Sequence, residues 1–181
     1  MTARHPTASH PTATTHAPPK APAPAPAPAP SGGYVNPLAG ASVTPERIDQ
    51  GVDYSGSGTL GAIGDGKVTY ADTSATGWPG AFVEYRLTSG SYAGRYVYYA
   101  ESITPAARLH VGQTVQAGQP IASINGGIEV GWGSGVGTQP LAQADGQWSS
   151  GADRSNYASA DGKDFSALIA RLGGPPGKSE G

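Results

Sequence analysis

The chain has 181 residues, with 28 glycines, 17 prolines, no cysteine and a net charge of −2. The lack of cysteine excludes a disulfide framework, thiolate catalysis and cysteine-based zinc sites. Two of the 11 basic residues, Arg4 and Lys20, lie in the N-terminal segment, so the remainder is net negative and lacks the basic face that nucleic acid requires.

Residues 1–33 are Pro, Ala, Thr and His with almost nothing large and apolar, and cannot bury enough surface to offset the entropy of ordering. The Ala-Pro alternation from Ala21 to Pro30 reads as an extended polyproline spacer. His5, His10 and His16 have no ligand spacing and read as part of that spacer. Residues 34–181 are long enough for one core of ordinary domain size. No stretch approaches the roughly 20 apolar residues of a spanning helix, and no apolar signal core shows at the N-terminus.

Tyr34–Pro45 reads as a leading loop without a clear period. Gly51–Tyr54 is a short strand candidate that ends in the glycine-rich Ser55–Gly58. Leu60–Ile63 and Gly66–Tyr70 read as two strands around an Asp65-Gly66 turn, a favoured hairpin dipeptide. Ala81–Leu87 and Arg95–Ala100 alternate apolar and polar residues, and Ser89–Gly94 joins them as a hairpin loop. Thr104–Leu109 reads as a turn or short helix. Val111–Ala122 holds two matched halves, Val-Gly-Gln-Thr-Val and Ala-Gly-Gln-Pro-Ile, each with a tight Gly-Gln turn. Ile128–Trp132 is the last core strand, and residues 133–161 are loop-like. Phe165, Leu168, Ile169 and Leu172 have helical spacing, and Gly173-Gly174-Pro175 stops a C-terminal helix of about 164–172. The pattern predicts an all-β sandwich with a disordered N-terminal tail and a short C-terminal helix.

Five segments in order carry a resemblance: Arg47–Asp53, Ala62–Val68, Tyr98–Glu101, Val111–Ala122 and Asn125–Val130. Together they resemble the M23 (lysostaphin-like) peptidoglycan endopeptidases, over about residues 34–140. The Val-Gly-Gln repeat also resembles biotinyl and lipoyl carrier domains, but Lys67 is not in their modifiable Met-Lys turn. The M23 resemblance implies a barrel-sandwich-like core and a groove for cell-wall peptide. In that family, a His-x-x-x-Asp motif supplies two zinc ligands, and the matching residues are Asp49 and Asp53. A catalytic His after Tyr-Ala is matched by Glu101. A final His-x-His-x-Glu supplies a catalytic His and the third zinc ligand, and is matched by Asn125, Gly127 and Glu129. The family's zinc histidines are therefore absent.

Asp49 and Asp53 are the metal candidates, and Asp49, Glu101, Asn125 and Glu129 the candidates for any residual catalysis. A two-carboxylate site favours Ca²⁺ or Mg²⁺ over zinc, so no zinc is expected. His110 is the only histidine after the tail and lies outside a ligand motif. Trp78, Tyr92 and Trp132 are candidates for stacking on sugars, with edge packing as the competing reading of Trp132. Three functions stay open: a degenerate module that binds or positions peptidoglycan or regulates a wall hydrolase, a wall hydrolase with an altered metallopeptidase-like or carboxylate-based site, and a structural spacer. The expected partners are a wall glycan or peptide and a wall-hydrolase protein. The expected setting is a cell envelope, the extracellular space or a phage particle.

Overall fold

In the computed structural model, Met1, residues 33–150 and residues 157–179 are described. The predicted spacer falls outside them. Seven strands, β1 (Gly40–Ile48), β2 (Val52–Gly61), β3 (Gly66–Asp72), β4 (Ala81–Leu87), β5 (Tyr96–Pro105), β6 (Thr114–Val115) and β7 (Pro120–Gly133), are followed by the helices α1 (Leu141–Ala144) and α2 (Ala160–Arg171). The strands form one antiparallel sheet in the order β1-β2-β7-β5-β4-β3-β6. The predominantly β fold with a C-terminal helix agrees with the alternating pattern of the sequence.

Side chains alternate between the two sheet faces. One face carries Val52, Tyr54, Val83, Tyr85, Val97, Tyr99, Ile128, Val130 and Trp132 into the main core, where α2 adds Phe165, Leu168 and Ile169. The other buries a smaller cluster of Phe82, Tyr98 and Ala100, against which Tyr70 and Trp78 pack. The doublet Tyr98-Tyr99 therefore splits between the two faces.

Several local expectations are corrected. Residues 40–45 belong to a strand, and β2 runs through its glycine-rich half, because β1 and β7 pair with its two edges and satisfy its backbone. The predicted hairpin at Asp65-Gly66 does not form: β2 and β3 are not neighbours in the sheet. Asp65 instead ties loops together, its carboxylate accepting from Ala117 N at 3.0 Å and Ser89 Oγ at 3.3 Å. The two Gly-Gln turns are present, with φ of 89° at Gly112 and 79° at Gly118. Helix α2 starts at Ala160, earlier than its apolar spacing suggests, because Ser159 caps it by accepting from Gly162 N at 2.9 Å. A side chain at position 162 would meet the Asp49 and Gly51 carbonyl oxygens at 2.7 and 2.9 Å, so glycine lets the helix start against that turn.

Candidate functional site

On the sheet face opposite the main core, Asp53, Glu129, Ala100 and Phe82 form one row of direct partners across β2, β7, β5 and β4. The row sets the Asp53 and Glu129 side chains next to each other. Asp49 arrives from the turn between β1 and β2. Gly51 N donates to its Oδ1 at 3.2 Å, and its backbone oxygen accepts from Ser159 N at 2.8 Å, so the start of α2 fixes the turn. One carboxylate oxygen from each of Asp49, Asp53 and Glu129 lies within 4.8 Å of the others.

Arg47 reaches this cluster from the end of β1. Its Nε donates to Asp53 Oδ2 at 2.7 Å, and its Nη2 lies 3.3 Å from Asp49 Oδ2. Glu129, only 3% exposed, is held on the other side by neutral donors. Tyr98 Oη donates to its Oε1, and Gln50 Nε2 to its Oε2 at 3.3 Å. Gln50 is itself oriented by Gln143, whose Nε2 donates to Gln50 Oε1 at 2.6 Å. The glycines at 51 and 131 leave room for the phenol: a side chain at 51 would meet Tyr98 Oη at 2.5 Å, and one at 131 would meet the ring at 2.9 Å.

Three acids around one guanidinium leave an excess of negative charge in a dry place. Burial pushes Asp53 up to about 7, with the neighbouring Asp49 charge adding and Arg47 opposing. Burial also raises Asp49, against Gly51 N–H and Arg47. Glu129 is driven well above the carboxylate range, first by burial and then by the Asp49 charge. Burial and the Asp49 charge thus favour its neutral form.

Glu101 stands on the same face at a bulge in the β5–β7 pairing, with φ of 77°. Its Oε2 lies 4.0 Å from where a side chain at Gly127 would start. Burial and the Asp49 charge raise its pKa. Asn125 is exposed two residues further along β7 and, with Glu101, borders a shallow depression of ≈ 330 Å³. Four residues of strand, about 13 Å, separate Asn125 from Glu129. Glu129, matched to the trailing acid of the last motif, joins Asp49 and Asp53 in one acid cluster, and Asn125 lies apart from it.

The aromatic candidates separate. Trp132 is 1% exposed in the main core, between Tyr92 and Phe165, with its indole N–H on Asp164 Oδ2 at 2.9 Å and the Arg95 guanidinium 3.7 Å above the ring. Tyr92 packs on Trp132 and Tyr34, and its hydroxyl accepts from Arg171. Neither can share a groove with Trp78, which is on the other face. Trp78 is not a free loop residue either. Its ring packs on Phe82 and Tyr98, and its N–H donates to Thr138 O at 3.0 Å. Its remaining surface lines a cleft of ≈ 450 Å³ with Gln50, Gly77, Thr138, Gln139, Gln143, Trp148 and Ser150. Sequence reasoning missed Arg47, Tyr98, Gln50, Gln143 and Trp148. For Tyr98 the strand alternation was an available signal, and for Arg47 its place two residues before Asp49.

The donor set does not fit the zinc site of the M23 family. Three carboxylates offer no imidazole, and the guanidinium already engages Asp49 and Asp53 on their Oδ2 atoms. His110, the only histidine among the described residues, is exposed and bonds to Arg108 O. Chemically, the cluster can hold a positive charge or keep a proton. With Asp49 and Glu129 both buried, it offers a substrate no open pair of carboxylates.

No protein-family model matches the sequence, and no curated protein matches it. Among solved structures, the chain is similar to a zinc-containing peptidase from Vibrio cholerae, at 16% identity over 58% of this chain and 36% of that one, with a TM-score of 0.38. It is also similar to Csd3 of Helicobacter pylori, at 18% identity over 78% of this chain and 39% of that one, with a TM-score of 0.46. The chain spans less than half the length of either protein. Among the described residues, no helix is long and apolar enough to cross a membrane.

Proposed function

We propose that this protein is a catalytically silent M23-like module that binds or positions peptidoglycan, in a cell envelope or a phage particle. The observation that carries this reading is the Arg47 guanidinium bonded to Asp49 and Asp53, the two residues matching the first zinc motif. A metallopeptidase needs an open cation there, with a water to activate. Here a side chain supplies the positive charge, and a guanidinium carries no water that could become a nucleophile. The two positions matching the catalytic histidines are Glu101 and Asn125. Neither offers an imidazole. What remains suited to a wall ligand is the polar cleft beside the cluster. A wall hydrolase regulated by this module is the proposed protein partner.

The test is metal content and turbidity of purified peptidoglycan, with protein supplied with Zn²⁺ and separately with Ca²⁺. The expected result is no stoichiometric zinc, no clearing of the suspension, and co-sedimentation of the protein with the wall. One zinc per chain together with clearing would overturn the reading.

A further inference from the structure

Resting on the wall-binding reading, we infer that the cleft between Trp78 and Trp148 is a saccharide site, taking the neutral N-acetylated glycan strand rather than the charged stem peptide. Its volume, ≈ 450 Å³, lies within the range of about 300–1,000 Å³ usual for ligand sites. The side of the cleft is rigid: the Trp78 ring is seated on Phe82 and Tyr98, its N–H is tied to Thr138 O, and Thr138 Oγ1 donates to Thr76 O at 2.7 Å. A site held by such contacts orders little further on binding.

The lining selects the ligand by charge. Among the described residues, no charged side chain borders the cleft, although the acid cluster lies directly behind it. Gln50 and Gln143 stand between, as a relay of amides that shields the cleft from the carboxylates. A stem peptide would bring carboxylate and ammonium groups that find no counter-charge among the described lining residues, leaving their desolvation uncompensated by them. Hydroxyl and acetamido groups match glutamine amides without charge, and the C–H faces of pyranose rings suit the negative faces of indoles.

Trp148 lines the cleft and carries an unmatched donor. Its indole N–H is buried without a hydrogen-bond partner among the described residues. Buried donors in native folds nearly always have an acceptor, so this one marks where a ligand oxygen belongs. An acetamido carbonyl or a ring hydroxyl supplies it.

The experiment is an amide spectrum of the ¹⁵N-labelled full chain, whose three tryptophans give three indole N–H signals. It is titrated with the tetrasaccharide of N-acetylglucosamine and, separately, with a free wall stem tetrapeptide. The sugar is expected to shift the Trp78 and Trp148 signals and leave Trp132 in place, while the peptide shifts none. Trp148→Phe should weaken the sugar by about tenfold or more. If that variant does not fold, Gln139→Ala on the same cleft should weaken it by about threefold or more. Shifts with the peptide alone, no shift at about 10 mM sugar, or unchanged affinity in the folded variants would overturn the assignment. Co-sedimentation with whole wall separates the two failures. Wall binding without sugar shifts sinks the saccharide site alone, whereas zinc-dependent clearing sinks the proposed function.

Discussion

The two faces of the sheet come from the same strands and the same alternation, yet they are covered differently. The face bearing Val52, Tyr99, Val130 and Trp132 is sealed by α2 through Phe165, Leu168 and Ile169. The face bearing Asp53, Glu129, Tyr98 and Phe82 is covered by loops and the one-turn helix α1, which bring Trp78, Gln143 and Trp148. A helix presents a continuous apolar stripe. Loops present amides, indoles and a cleft. The difference teaches that the cover, more than the sheet, decides which face holds stability and which can hold a ligand.

The largest test of this division is Trp132→Ala. The ring is fully packed, so its loss should cost about 3–5 kcal/mol of stability. Thermal or denaturant unfolding would measure it. Wall co-sedimentation per folded molecule should not change. Reduced binding by the folded variant would mean that the sealed face takes part in recognition after all.

The acid face should reverse the usual dependence of stability on pH. Asp53 ionises near 3.9 in an unfolded chain and at about 7 here, so between those values the folded state holds more protons. Its contribution is fully present below about pH 4 and is lost as pH rises through about 7, with a slope of at most ~1.4 kcal/mol per pH unit from this one group. Burial and the Asp49 charge raise Glu129 as well, so it contributes in the same direction. Unfolding from pH 4 to 8 should show this fall, and Asp53→Asn should flatten it. A profile that rises across that window would contradict the clustering of the acids.

Arg47→Met leaves Asp49 and Asp53 without their cation. Because the guanidinium is 41% exposed, the loss should be about 1–2 kcal/mol, below that of a fully buried pair. The variant frees an oxygen-only site, so Ca²⁺ should raise its melting temperature and leave that of the parent unchanged. Equal response of both proteins would show that Arg47 does not stand in for a cation.

The legible part of the sequence is the part that obeys a local period. Ala81–Leu87 alternates, and β4 has those bounds. The hydrophobic spacing from Phe165 to Leu172 placed the body of α2, but the helix start depends on Ser159 and on Gly162 touching the Asp49 turn, which is tertiary information. β1 was hidden because its burial alternates weakly along an edge strand. At the site, Asp49, Asp53 and Glu101 were picked out by resemblance. The resemblance also marked Glu129, but which residues it meets is fixed by register across β2 and β7 and not by spacing along one strand. Arg47, Tyr98 and Gln50 matter only through those long-range meetings. A consequence lies at the helix start: Ser159→Ala should cost about 1 kcal/mol. It should also loosen the Asp49 turn, detectable as faster amide exchange at Gly51.

The smallest expected effect concerns backbone strain at the edge of the acid face. Glu101 has φ of 77°, a region costly for a residue with a side chain, by about 1–3 kcal/mol. Glycine enters that region freely but gives up about 0.5–1 kcal/mol through its looser unfolded chain. Glu101→Gly should therefore stabilise the fold by on the order of 1 kcal/mol. Glu101→Ala separates strain from charge: it relieves the repulsion with Asp49 but keeps the side chain at the strained φ. If the alanine and glycine variants melt together, the gain is electrostatic. If only glycine gains, the fold tolerates the strain to keep a carboxylate above Gly127. If the module is silent as proposed and binds through the cleft between Trp78 and Trp148, clearing stays absent in both variants and their wall co-sedimentation matches that of the parent.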